Sequence, residues 1–145
     1  MRYRLKMVMS ASMEDVRLCA LAIKGVCEGL GVEEETLRAV EIAVFEGLSN
    51  IVRHAYCFNP SRKIEAELEV ADEFCQVTLI DEGEEFDPRQ VPPPAFDHTD
   101  SGSLPEGGMG VHIMREAMDE IEYRREGGKN YLKLRKYRGG QGGRV

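Results

Sequence analysis

The spacing of apolar residues along the chain changes several times, and each change predicts a new element. Apolar and polar residues alternate over residues 2–9, which predicts a strand. The next segment has helical spacing, with Ser10 or Ser12 as its N-cap and Asp15 in a capping-box position. This helix is predicted to end at Gly29-Leu-Gly31. Its expected buried side consists of Val16, Leu18, Leu21, Ile23, Val26 and Leu30.

The remaining elements follow from the same patterns and from turn residues. A second helix is predicted from Glu33 to about Tyr56. The other predicted elements are strands at 64–70 and 74–80, a loop over 87–107, a helix at 110–118 and a hairpin of 120–125 with 131–137. This order predicts an α+β protein, a two-layer α/β sandwich. Its sheet should be mixed but mostly antiparallel, with helices on one face.

The chain length of 145 residues fits a single domain. We expect that domain to span residues 1–138, with a disordered glycine-rich tail at 139–145. The run Pro92–Pro94 and the small polar residues after it predict a mobile lid over residues 89–106.

Composition restricts the function classes. The net charge of −7 argues against a general nucleic-acid binder, although residues 121–145 hold eight Lys/Arg against two Asp/Glu. We interpret that basic stretch as a solvated strand face. No segment is apolar for long enough to span a membrane, and the N-terminus lacks the apolar core of a signal peptide, so we expect a cytoplasmic protein. The four cysteines form no C-x-x-C pair and are expected to be reduced thiols.

Candidate chemistry appears in three separate segments. Glu46, Asn50 and His54 recur at i, i+4 and i+8 within the apolar second helix and so share one stripe. A carboxylate and a carboxamide are costly on a buried helix unless something satisfies them. Their partner is either a ligand or, in the plainer interpretation, backbone or water.

Glycines accompany the other two segments. Asp81 and Gly83 follow an apolar strand, where an ordinary turn is an equally good explanation of that pair alone. Gly107, Gly108 and Gly110 precede a helix, which fits phosphate binding at a helix N-terminus or a flexible loop end. Taken in order, the three segments predict a nucleotide site.

These segments resemble the motifs of a known superfamily. Glu46-x3-Asn50-x3-His54-Ala-Tyr56 resembles the N box of the GHKL (histidine-kinase-like) ATPases, Asp81–Pro88 their first glycine box and Gly107–Met114 their second. Within that superfamily, the chain resembles the anti-sigma-factor serine/threonine-protein kinases of bacteria. The segments that carry this narrower resemblance are His54-Ala-Tyr56, Phe86-Asp87-Pro88 and Met118-Asp119-Glu120.

The resemblance implies a Bergerat-type ATPase fold that binds ATP and Mg²⁺. It implies that Glu46 is the catalytic base, that Asn50 also holds the metal, and that Asp81 accepts a hydrogen bond from the adenine amino group. The residues it assigns to nucleotide binding are Asn50, Asp81, Gly83, Gly107, Gly108, Met109 and Gly110. We interpret His54 as structural and Arg53 as a surface or partner residue.

The implied function is an anti-sigma factor that is also a kinase. Such a protein phosphorylates a serine of a STAS-type anti-anti-sigma antagonist and sequesters a sigma factor. We also expect a homodimer, both from the resemblance and because the N-terminal strand at 2–9 could leave an open sheet edge. We expect no direct contact to nucleic acid or membrane.

Two alternatives remain at this point. One is a nucleotide-binding partner-switch module with little or no kinase activity, favoured by acidic Glu84 and Glu85 and by the absence of Lys or Arg between Arg89 and Gly107. The other is a detached ATP-binding domain of a two-component system, which the standalone length and the short lid disfavour. The intact Glu46 favours the kinase, because a pure binder has little need of a base.

Overall fold

The computed structural model describes residues 1–93 and 109–139. A five-stranded sheet in the order β1-β2-β3-β5-β4 carries helices on one face. The strands are β1 (Arg2–Ser10), β2 (Lys63–Ala71), β3 (Phe74–Asp81), β4 (Glu120–Glu126) and β5 (Lys129–Tyr137). The helices are α1 (Met13–Gly29), α2 (Glu34–Asn50) and α3 (Met109–Ala117). The predicted fold class is confirmed. One detail differs, because all strand pairs among the described residues are antiparallel and the sheet is not mixed.

Local signals set several element ends. Ser12 caps α1 by accepting a hydrogen bond from the Asp15 N–H at 3.2 Å, and the Asp15 carboxylate accepts one from the Ser10 N–H at 3.0 Å. The predicted capping box is therefore present in a closely related form. The β4–β5 turn places Gly127 and Gly128 at φ 59° and 78°, a left-handed backbone that suits a two-residue hairpin.

The second helix changes character at the site. It was predicted as one helix to about Tyr56, but α2 ends at Asn50 and Ile51–Ala55 form a π-helical turn. The Tyr56 N–H donates to the Ile51 carbonyl at 3.0 Å and closes the wide turn. Such π-helical turns are rare in proteins as a whole, but those that occur often lie at functional sites. The wide turn rotates the side chains that follow it relative to those before it.

The core lies between the sheet and the helices. Its largest fully buried side chains include Ile23, Leu48, Ile64, Leu68, Leu79, Met114 and Leu134. The predicted buried side of α1 was wrong at Leu18 and Leu21, which are 58% and 59% exposed. The buried stripe of α1 instead consists of Val16, Cys19, Ala20, Ile23 and Cys27. Both leucines fit a helical period, but they lie outside that stripe.

The predicted loop begins in an ordered form. Pro88–Gln90 form a 3₁₀ turn, capped by Asp87 accepting from the Arg89 N–H at 2.9 Å, so the expectation of a structureless start is wrong there. The described residues exclude 94–108, and with them the predicted lid from 94 to 106, and they also exclude the tail from 140. All four cysteines are free. Among the described residues, every helix is too short or too polar to cross a membrane.

Candidate functional site

Helix α2 carries the two polar side chains that the sequence singled out. Asn50 is 7% exposed, and its side-chain nitrogen Nδ2 has no hydrogen-bond partner in the described part of the chain. Buried amide groups are nearly always paired, so an unpaired one calls for an explanation. Glu46 lies one turn earlier and is half-buried. Burial raises the pKa of Glu46 above its ordinary value, and the charge of Arg53 partly opposes that rise.

Asp81 ends β3 as a buried carboxylate with one oxygen already occupied. Its Oδ1 accepts hydrogen bonds from the Asn130 side-chain amide at 2.8 Å and from the Gly83 N–H at 2.9 Å. The other oxygen, Oδ2, receives no hydrogen bond from a described residue and is free to accept one from a ligand. Burial raises the pKa of Asp81, while the bonds from Asn130 and Gly83 lower it in part.

Asn130 is a site residue that the sequence analysis missed. Its amide nitrogen also reaches the Gly83 carbonyl at 3.1 Å, and its amide oxygen accepts from Arg125 at 2.7 Å. Arg125 in turn donates to the Gly83 carbonyl at 3.0 Å. The sequence did contain one signal for Asn130. Buried and partly exposed residues alternate along β5, so the residue two positions before Leu132, which is Asn130, also lies on the core face of the sheet.

Two tyrosines fix the segment that follows Asp81. The Tyr56 hydroxyl accepts from the Glu82 N–H at 2.7 Å and donates to the Lys63 carbonyl at 2.7 Å. The Tyr123 hydroxyl accepts from the Phe86 N–H at 3.0 Å. Tyr56 is buried and Tyr123 is half-buried, so the site loop is held by side chains of two distant segments.

Gly83 lies directly against the end of the π-helical turn. A Cβ atom at this position would overlap the Ala55 carbonyl, and the neighbouring Glu84 N–H donates to the same oxygen at 3.0 Å. The resemblance assigned Gly83 to nucleotide binding. In the described structure, the close approach is to the backbone of Ala55.

Gly110 brings the start of α3 against the proposed base. A Cβ atom on Gly110 would overlap the Glu46 carboxylate, so a glycine is needed for these two helices to meet in this way. Met109 is the first residue of α3 and is half-buried. Gly107 and Gly108 lie outside the described residues, and their predicted phosphate contacts stay predictions.

The polar groups of α2 and β3 meet in one narrow pocket. Its lining includes Asn50, Asp81, Phe86, Tyr123 and Leu132, and the space between them is about 10 Å³, room for about one water. Phe86 also stacks on the His54 ring, with ring centroids 4.4 Å apart and planes 13° apart. An adenine ring therefore requires this wall to move outward.

The fold and this arrangement define a class of protein. A family model described as a histidine kinase-like ATPase domain matches residues 9–136, and the chain belongs to that family. The superfamily membership expected from the three motifs is confirmed.

Within the histidine kinase-like ATPase family, the chain is similar to bacterial serine-protein kinases. The chain is 31% identical over 128 residues to the serine-protein kinase RsbW of Staphylococcus epidermidis, covering 86% of this chain and 80% of that protein. It is 29% identical over 140 residues to the serine-protein kinase RsbW of Bacillus subtilis (strain 168), covering 94% of this chain and 87% of that protein. The resemblance to bacterial serine-protein kinases thus extends over most of the chain.

Solved structures share the fold at lower identity. The RsbU and RsbW domains of Rv1364c from Mycobacterium tuberculosis align with a TM-score of 0.65 at 15% identity, over 92% of this chain and 32% of that chain. The SiaB–SiaC complex from Pseudomonas aeruginosa aligns with a TM-score of 0.59 at 12% identity, over 92% of this chain and 89% of that chain. These two alignments concern the fold alone.

Proposed function

We propose that this protein is an ATP-dependent serine-protein kinase and anti-sigma factor. It phosphorylates a serine of a STAS-type antagonist protein and sequesters a sigma factor. The observation that carries the proposal is the unpaired amide nitrogen of Asn50, on the helix that also bears Glu46, in a pocket whose lining also includes Asp81. The similarity to serine-protein kinases named RsbW supports the choice of a protein acceptor.

Each polar group has a distinct role in this proposal. Asp81 accepts a hydrogen bond from the adenine amino group through Oδ2, while Asn130 and Gly83 hold the opposite oxygen in place. Asn50 contributes one neutral oxygen to Mg²⁺, which suits a hard ion that takes one or two protein ligands and phosphate oxygens for the rest. When bound, Mg²⁺ would neutralise part of the negative charge of the ATP phosphates.

Glu46 acts on the acceptor hydroxyl. The serine oxygen forms a bond to the γ-phosphorus while the bond from that phosphorus to the bridging β–γ oxygen breaks, and ADP leaves. The serine proton passes to the Glu46 carboxylate. Burial raises the pKa of Glu46, which makes this carboxylate a stronger base than an exposed one.

A homodimer forms part of the proposal. Strand β1 is an edge strand whose outer backbone groups have no strand partner among the described residues. Exposed apolar residues lie on β1 and on the outer side of α1, namely Tyr3, Leu5, Leu18 and Leu21. A second copy adding its own β1 would pair that edge and cover them. Light scattering at micromolar concentration measures the mass, and a monomer would contradict the dimer.

A partner-switch module without useful transfer is the second candidate. Glu84 and Glu85 are exposed beside the site, and no Lys or Arg occurs from Gln90 to Met114. Acidic groups next to a triphosphate weaken its binding, and a missing cation slows transfer. This candidate predicts binding of nucleotide and partner with no phosphoprotein formed.

The test compares wild type with Glu46→Gln. Calorimetry measures ATP and ADP affinity in Mg²⁺, and labelled ATP measures transfer to the STAS-domain proteins of the source genome, each purified and offered as acceptor. We expect Glu46→Gln to bind nucleotide normally and to lose roughly 10²- to 10⁴-fold in transfer rate, the usual worth of a positioned base. Gln keeps the volume of Glu, so the contact with Gly110 survives.

Glu35→Gln is the matched control, since Glu35 lies exposed on the same helix, and it should transfer at the wild-type rate. Equal rates in wild type and Glu46→Gln would make Glu46 structural. A wild type that binds an antagonist but transfers no phosphate to it would favour the partner switch.

A further inference from the structure

The pocket that contains Asn50 and Asp81 is closed on one side by an aromatic ring. Phe86 lines this pocket, and the space that remains holds about one water. The same ring stacks on His54, with ring centroids 4.4 Å apart and planes 13° apart. Because adenine is far larger than a water molecule, at least one wall of the pocket has to move before a nucleotide can bind.

Most of the pocket wall belongs to the packed core. Gly47, Ile51 and Ala55 are buried on α2 and the π-helical turn, and Leu132 is buried on β5. Gly47 has no space behind it, since a Cβ atom there would lie 2.9 Å from the Leu79 side chain. Moving these residues apart would separate the helices from the sheet and break close-packed contacts. The wall that moves therefore lies in the loop that follows β3.

Within that loop, Phe86 combines a fixed backbone with a half-buried side chain. Its N–H donates to the Tyr123 hydroxyl at 3.0 Å, and the next residue, Asp87, accepts from the Arg89 guanidinium at 2.8 Å. These bonds hold the backbone on both sides of the Phe86 side chain. A rotation about the Cα–Cβ bond to another staggered rotamer can move the ring off His54 while the backbone stays in place.

We propose that Phe86 is a gate of the nucleotide pocket, held closed by its stacking on His54. This inference rests on the proposed nucleotide site. In the closed form the Phe86 ring keeps adenine away from Asp81, and in the open form the ring has left His54 and the base can enter. Only the open form binds nucleotide, so the apparent affinity is the intrinsic affinity reduced by the open fraction. His54, a structural residue by its sequence pattern, then sets that fraction.

The deciding variant is His54→Ala. His54 is not among the described residues that line the pocket, so it has no wall contact to lose and acts on the pocket through Phe86. By calorimetry, the affinities for Mg·ADP and Mg·ATP should rise about two- to tenfold above wild type, the range that a stacked aromatic pair contributes. The factor should be the same for both nucleotides, because both carry the adenine ring.

Phe86→Leu tests the other half of the stack. Leucine keeps an apolar side chain but cannot stack on an imidazole, so this variant should also bind both nucleotides more tightly than wild type. In the double variant, His54→Ala should give no further gain, because the gate has already been removed. Circular dichroism checks that each variant is folded.

Phe74→Leu is the matched control. Phe74 begins β3, at the opposite end of the strand from Asp81, and its ring packs under the Arg135 guanidinium. The same substitution there should leave both nucleotide affinities unchanged.

Three results would overturn the gate. Unchanged or weaker nucleotide binding in His54→Ala would show that the stack does not hold the pocket closed. Weaker binding in Phe86→Leu would place the Phe86 ring against the bound base. A full second gain on adding His54→Ala to Phe86→Leu would show that the two residues act separately. If wild type binds no adenine nucleotide, the proposed function fails and the gate fails with it, whereas binding by wild type with no gain in the variants defeats the gate alone.

Discussion

Arg138 and Asn50 are equally buried polar residues with opposite surroundings. Arg138 is 6% exposed and Asn50 is 7% exposed. The Arg138 guanidinium donates to the Ala71 carbonyl at 2.9 Å, the Gly31 carbonyl at 3.1 Å and both carboxylate oxygens of Glu33 at 3.1 Å. By contrast, the Asn50 Nδ2 has no partner in the described residues. A buried polar group that has its partners belongs to the fold, whereas an unsatisfied one calls for an explanation, which the proposed nucleotide site supplies.

The largest effect expected from this comparison concerns Arg138. Its removal leaves the buried Ala71 carbonyl without this donor and separates the end of β5 from the α1–α2 connection. Arg138→Ala should lower the free energy of unfolding by about 2–4 kcal/mol, the scale for breaking a largely buried charged network. Urea unfolding followed by circular dichroism measures it, and nucleotide affinity of the folded fraction should not change.

Arg38→Ala is the control for Arg138, because the Arg38–Glu34 pair is exposed on α2. Exposed pairs contribute little, so this variant should cost under about 0.5 kcal/mol. Equal costs for the two variants would contradict the role given to the Arg138 network.

Removal of the Asn50 side chain should affect nucleotide binding more than stability, the opposite of the result expected for Arg138. Because the Asn50 amide nitrogen has no partner among the described residues, Asn50→Ala should change the free energy of unfolding by less than about 1 kcal/mol. The same variant should weaken Mg·ATP binding by about 1–3 kcal/mol through loss of a polar ligand. Thermal unfolding and calorimetry on one preparation measure both quantities.

Ser49→Ala is the neighbouring control on α2. The Ser49 hydroxyl donates to the Phe45 carbonyl at 2.6 Å and so belongs to the helix. This variant should bind Mg·ATP as wild type does. If Asn50→Ala unfolded the protein while keeping nucleotide affinity, the comparison between the two buried groups would be wrong.

The smallest expected effect is on the free energy of unfolding at acid pH. The hydrogen bond from Arg138 holds the pKa of Glu33 below its ordinary value. A carboxyl with a lowered folded pKa stabilises the fold above its unfolded pKa, near 4.3, and that stabilisation is lost as the pH falls through the folded pKa. Since Glu33 is partly exposed, we expect under about 1 kcal/mol.

Unfolding free energies between pH 3 and pH 6 test this point. Glu33→Gln should flatten the acid limb of the profile relative to wild type, and Arg138→Ala should flatten it in the same way, because each variant removes one half of the pair. An unchanged slope in Glu33→Gln would show that the pair contributes nothing in acid.

Several features of the fold were readable from sequence because their causes are local. The Ser12 cap, the Gly127–Gly128 turn and the strand alternation each depend on residues within a few positions of one another. The chemistry-bearing segments were readable for a similar reason, since Glu46 and Asn50 share a helix and Asp81 ends a strand. Residue type and spacing are enough to determine such features.

The tertiary structure decided the features that depend on distant segments. Which side of α1 faces the sheet, and hence the exposure of Leu18, is set by packing and not by period alone. The contact of Gly110 with Glu46 depends on the approach of α3 to α2, and the bond from Asn130 to Asp81 depends on the β3–β5 register. The sequence by itself thus determined the elements and the motifs they carry, because those follow from local geometry and burial. Only the tertiary structure decided which polar groups found partners and which did not, because those partners lie tens of residues away.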